Sequence, residues 1–180
     1  MDLATFRELN QKVIRAGYQN EIDWQQRVCQ CQDFSEFAWQ TIWVIISSGM
    51  KNQVARVIEE RVIEAWQNGH PLSGAFKHKG KVKAIEYILD NQEALYKNYL
   101  VADDKLAYLE ALPYIGQITK YHLAKNLGED VVKPDRHLVR IAAQYNKTPD
   151  DLCAGLAKQL GCKKATVDII IWRAANLGYV

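Results

Sequence analysis

The chain has few of the features that give a function away by inspection. Its four cysteines, Cys29, Cys31, Cys153 and Cys162, include no CxxC pair and stand beside no histidine at zinc-ligand spacing, so no metal site is expected. The thiols are read as reduced and partly buried. No charged-then-apolar leader with an A-x-A site is read at the start. The longest apolar stretch, Phe37 to Met50, is broken by Gln40, Thr41, Ser47 and Ser48 and is too short to span a bilayer, so a cytoplasmic protein without a membrane partner is expected. There is no internal repeat, no low-complexity tract and no linker long enough to separate domains. A strong charge imbalance is also missing: 23 basic and 21 acidic residues leave a net charge of +2, which decides nothing about a polyanionic partner. Local clustering says more, because Lys77, Lys79, Lys81 and Lys83 fall within FKHKGKVK (76–83) without one acid, and one edge of the molecule is expected to be basic.

What the chain does have is helical periodicity. With 180 residues, 48% hydrophobic, it is long enough to bury roughly two-thirds of its unfolded surface without a staple. Apolar residues recur at three and four, and almost nowhere alternate with period two, which predicts an all-α fold. Leu3 to Ala16 reads as a helix stopped by Gly17. Ser35 reads as the N-cap of a largely buried helix. On the next helix Val54, Ile58 and Val62 recur at i+4, which predicts its buried face, and Gly69 ends it. Ala84, Ile85, Ile88 and Leu89 share one side of a following helix, and Asp103 or Asp104 caps another that carries Leu106, Leu109 and Leu112. Thr148-Pro149 and Gly161 bracket a later helix, and Lys164 to Asn176 forms the last.

The informative stretch runs from Leu112 to Arg140. Leu112-Pro113-Tyr114-Ile115-Gly116 breaks the helical pattern, Gln117 to Leu127 resumes it, and a tight hairpin ending at a helix N-terminus turns backbone N–H groups towards one side. Such a nest binds phosphate without sequence preference, with Lys120 and Lys125 placed to add charge, or it only joins two packed helices. Val131 to Pro134 is extended, and Asp135 opens the helix from Arg136 to Tyr145. Taken alone, Asp135 is read first as a cap.

Asp135 follows Gly116 by 19 positions, and this pairing resembles the helix-hairpin-helix DNA glycosylase superfamily, whose signature is L-P-G-[IV]-G at the hairpin and an aspartate opening the next helix but one. LPYIG and KPDRHLVRIA are the matching stretches. IISSGMKNQVARVI (45–58) is similar to the turn that enters the DNA groove in these enzymes, and the resemblance covers roughly residues 20 to 180. It implies two helical lobes, a middle one of about 35–125 and another from 1–34 with 126–180, and an active site in the cleft between them.

The departures set the expected chemistry. Tyr114 stands where the family has its first hairpin glycine, at a cost in backbone freedom and with a ring that can press towards DNA. The Schiff-base lysine of strand-cleaving members is Ile118 here; Lys120, two helical steps further, points about 200° away. Lyase activity is therefore not expected. No cysteine follows Cys162, so the iron-sulfur loop of some relatives is missing and no cofactor is expected.

The resemblance makes Asp135 the catalytic residue of a monofunctional N-glycosylase acting on a base flipped from duplex DNA. Pro113, Tyr114, Ile115, Gly116, Gln117, Thr119 and Lys120 would hold the backbone. Lys79 and Lys81 would add phosphate contacts. Met50, Lys51 and Asn52 would supply the wedge, Met50 being alternatively a core methionine. Lys133, Arg136, His137 and His122 are candidate supports, the two histidines equally readable as structural. The five tryptophans are read as core. A monomer is expected. Two alternatives stand beside this reading: a transferase on a similar scaffold, associated with bacteriophages, that attaches an amino acid or amine to an activated 5-hydroxymethyl group of thymine, and a non-catalytic DNA-binding module.

Overall fold

The computed structural model describes all 180 residues; it is 71% helical and contains no strand, so the fold is all-α. In chain order the helices are α1 (Leu3–Val13), α2 (Gln19–Arg27), α3 (Phe34–Ser47), α4 (Asn52–Gln67), α5 (Leu72–Ala75), α6 (Lys79–Asp90), α7 (Gln92–Val101), α8 (Lys105–Glu110), α9 (Thr119–Asn126), α10 (Arg136–Ala143), α11 (Pro149–Leu160) and α12 (Lys164–Asn176). None is long and apolar enough to cross a membrane. The chain divides into two compact units, one of Met1–Gln30 with Ala124–Val180 and one of Cys31–Leu123.

Side-chain caps fix six of the twelve helix starts. Asp104 takes the Ala107 amide at 2.9 Å, and Thr148 takes that of Asp151 at 3.1 Å ahead of Pro149. At α3 the cap is Asp33, not Ser35. The Asp33 carboxylate accepts the Glu36 N–H at 2.8 Å, and the Glu36 carboxylate reaches back to the Gln32 N–H at 3.0 Å, a reciprocal arrangement that leaves Ser35 in the first turn. Gly17, at φ 93°, breaks the helical path where the sequence places the stop. Regular α-helix stops at Val13, a wider turn runs over Ile14–Tyr18 with Gly17 at the kink, and the path continues as α2.

The unit built from both termini packs α12 against α1, α2 and α11 around Phe6, Val13, Leu138, Ile141, Leu152, Val167 and Ile171, all buried. The Arg173 guanidinium of α12 makes two bonds to the Glu21 carboxylate of α2, at 2.7 and 2.8 Å, a fork-to-fork geometry that fixes direction as well as distance. Gly128 lets the chain leave α9 against α2's exit. It sits at φ 91°, and a Cβ there would lie 2.1 Å from the Cys29 carbonyl oxygen, so only glycine fits this approach.

The middle unit is organised around α3, whose Phe37, Ile42, Ile45 and Ile46 are fully buried against α4, α6 and α7. Phe37 meets the rings of Tyr96 and Tyr99 at centroid distances of 5.9 and 5.3 Å. On α4 the buried line is Ala55, Val62 and Ala65; Val54 is exposed and Ile58 only half-buried. Of the expected i+4 line, Val62 alone is fully buried, and Ala55 and Ala65 complete the inward face. All four cysteines are free thiols. Burial pushes the Cys31 thiol up to about 12 and raises Cys153 as well, which keeps both unreactive at neutral pH.

Candidate functional site

In the middle unit three separate segments meet: the turn after α3, the start of α6, and the hairpin between α8 and α9. Their meeting depends on two side chains. The Lys81 ammonium runs inward from α6 and donates to the carbonyls of Ile46, at 3.0 Å, and Ser48, at 2.6 Å. It thereby closes the C-terminal end of α3, where carbonyls lack helical partners. Lys81 is 5% exposed, and burial lowers its pKa, so it is a structural clamp and not the phosphate-facing lysine expected from its charge run. The second link is Tyr114, whose ring stands edge-on to His78 with centroids 5.8 Å apart and whose hydroxyl lies over Gly80.

At the hairpin the backbone cost falls on Tyr114, where the sequence puts it, and three residues depart from expectation. Tyr114 adopts φ 61°, the left-handed region that costs a residue with a Cβ roughly 1–2 kcal/mol, while Gly116 does not use it. The Gly116 N–H is turned onto the Thr119 hydroxyl at 2.7 Å and is not presented outward. Ile115 is buried, so its side chain belongs to the core. Lys120 is held in an ion pair with Glu110 at 2.5 Å, and the hydrogen bond to that carboxylate raises its pKa; its charge is already matched. Pro113 is half-buried, whereas Gln117 and Tyr114, at 46%, are exposed.

The exposed cations beside these segments are Lys51, Lys77, Lys79 and Lys83, none of them paired with an acid. Asn52 is exposed next to Lys51, and Met50 is half-buried in the same turn. Lys77, Lys79 and Lys83 belong to the charge run expected to form a basic edge and Lys51 joins them, whereas Lys81 and Lys120 are committed to partners within the protein. A Cβ on Gly80 would fall 1.9 Å from the Tyr114 hydroxyl oxygen. Because that atom is the end of a side chain, Gly80→Ala should leave stability within about 1 kcal/mol, the helix gain offsetting the lost contact, while displacing the ring. Urea unfolding and tyrosine ring resonances check the two halves of this prediction; unchanged ring resonances would contradict the packing described.

The unit built from both termini holds Asp135. Its backbone is extended (φ −79°, ψ 172°), and Oδ1 accepts the N–H groups of His137 at 2.9 Å and Leu138 at 3.1 Å, while Oδ2 makes no hydrogen bond. Asp135 is half-buried, as is His137; Arg136 is exposed and its Nε lies 3.5 Å from His137 Nε2. His122 is half-buried on α9.

The same unit holds a buried charge pair whose two members lie far apart in the sequence. Asp168, 1% exposed on α12, accepts the Lys125 ammonium at 2.9 Å and the Lys133 main-chain N–H at 2.7 Å on the same oxygen. Lys125, 4% exposed, is therefore committed inside this unit and unavailable to a phosphate at the hairpin. Burial raises the Asp168 pKa, against the pull of Lys125 and with a further push from Asp135. Burial also lowers that of Lys133, which Asp135 and Asp168 partly restore and Lys125 depresses further. The signal for Asp168 is in the sequence, as the one acid inside the apolar run Ala165 to Ile171. No three histidine, cysteine, aspartate or glutamate side chains come together as metal ligands. Comparison with protein-family models, with curated proteins and with solved structures finds no match to this chain.

Proposed function

We propose that the chain is a DNA base-processing enzyme of the two-lobed helix-hairpin-helix glycosylase kind, a monofunctional N-glycosylase whose catalytic group is Asp135. The observation that carries this reading is the division of labour within one carboxylate. Oδ1 is fixed by two amides at the start of α10, and Oδ2 is left without a partner, directed by the cap yet available. Breaking the bond between C1′ and the base leaves positive charge on the sugar, and an ionised oxygen held in place stabilises that charge without reorganising. The base departs with the bonding electron pair, water bonds to C1′, and the proton it releases passes by way of Asp135 to the departed base. The dipole of α10 favours negative charge at this position.

The phosphate backbone would lie along Lys51, Lys77, Lys79 and Lys83, with Tyr114 and Met50 as the apolar wedge residues. The flanking Lys133 and Arg136 also suit an anionic leaving group, which is what keeps the transferase as the second reading. The test uses labelled duplexes carrying uracil, an alkylated purine, an oxidised guanine or a mismatch, treated with alkali after incubation. Alkali-dependent cleavage of one of them, absent with Asp135→Asn, supports the glycosylase; intact DNA across the set with binding retained argues against it.

A further inference from the structure

We infer that Asp168 is a positioning residue for Asp135, acting through the main chain of Lys133; the inference rests on the glycosylase reading of Asp135. The path is short and fully bonded. Asp168 Oδ2 accepts the Lys133 N–H at 2.7 Å, and the Lys133 carbonyl accepts the Asp135 N–H at 2.8 Å, closing a three-residue turn about Pro134. One carboxylate buried in α12 therefore fixes where the other enters α10.

Two further contacts constrain the same link, one to α12 and one to the chain after α2. Asp130 accepts the N–H of Ala165 at 3.0 Å, and Gly128 is pinned against the Cys29 carbonyl, so the segment between α9 and α10 has little freedom. The Lys125 ammonium supplies the counter-charge that lets Asp168 stay in the interior with an oxygen facing the link. An ion pair needed only for cohesion has no reason to spend its acceptor on the amide two residues before the carboxylate on which the chemistry rests. A displacement of about 1 Å at a reacting group costs on the order of 10²-fold in rate, so a fixed entry to α10 has a functional consequence.

Two double variants separate positioning from cohesion. Lys125→Met with Asp168→Asn removes both charges and keeps an acceptor for the Lys133 N–H; Lys125→Met with Asp168→Leu removes the charges and the acceptor. Folding is followed by urea unfolding, the link by amide exchange over residues 133–138, and function by the single-turnover rate of base release beside DNA affinity. The expected result is that the asparagine double stays close to the parent in exchange and rate. The leucine double binds DNA equally well, exchanges faster over 133–138, and releases base about 10²-fold more slowly. If the leucine double does not fold, Asp168→Glu, which moves the acceptor by one methylene, replaces it with the same expectation. Equal exchange and equal rates in the two doubles would overturn the inference while leaving the glycosylase reading intact. A parent that releases no base from any duplex would overturn the glycosylase reading and the inference with it, whatever the exchange shows.

Discussion

Asp135→Asn should abolish base release while leaving the protein folded, and Asp135→Ala should lose activity and stability together. Asparagine caps a helix about as well as aspartate, so the bonds to the His137 and Leu138 amides survive in the first variant; alanine removes them at a cost of about 1 kcal/mol. The negative charge on Oδ2 is lost in both. Removing a preorganised electrostatic group at a reacting centre typically slows the reaction on the order of 10²–10³-fold, and a loss of at least that size is expected here. Single-turnover kinetics alongside urea unfolding measure the two effects separately. If asparagine retained the parent rate, Asp135 would be only a cap, which is what its sequence context suggests when read alone.

The second large effect is expected at Lys125. Replacing it by methionine leaves the Asp168 carboxylate buried without its counter-charge, a situation that costs about 3–5 kcal/mol. The loss should depend on pH. Burial already raises the Asp168 pKa, and without Lys125 the rise is larger. The folded protein then holds a proton that the unfolded chain releases near its ordinary value of 3.8, so stability falls as pH rises from there through the folded value. The variant is accordingly expected to lie closer to the parent near pH 4 than at pH 7. Adding Asp168→Leu should recover most of the stability, since an apolar pair of similar volume removes the unpaired charge. A loss under 1 kcal/mol in the single variant at neutral pH would mean that the pair is solvated.

These two sites show why some of the molecule could be read from the sequence and some could not. The caps at Asp135, Asp104 and Thr148 were legible because a cap is a local event, decided within three residues of the helix it opens. Ser35 misled for the same local reason: Asp33, with Glu36 three residues on, had the stronger signature two positions earlier. The lysines misled differently. A lysine in a charge run or on a helix end is by default solvated, but Lys81 finds the carbonyls of Ile46 and Ser48, and Lys125 finds Asp168, 43 positions away. Partners that distant are set by packing, and no window along the chain contains them. The turn at Tyr114 lies between these cases. The sequence marks the strain, with tyrosine where glycine would be easiest, while the ring's seat over Gly80 needs α6 to be in place.

The most direct single measurement is the intact mass of a duplex strand after incubation with the protein, taken across the same set of altered bases. Hydrolysis at Asp135 predicts that one strand loses the mass of its base and gains one water, with the backbone uncut and the change absent in Asp135→Asn. On a further strand carrying an activated 5-hydroxymethyl thymine, incubated with a free amine, a mass change equal to the amine gained less the activating group lost would assign the scaffold to group transfer. Unchanged mass on every strand, with the DNA bound, would contradict a catalytic Asp135 and leave a DNA-binding module whose aspartate only caps α10.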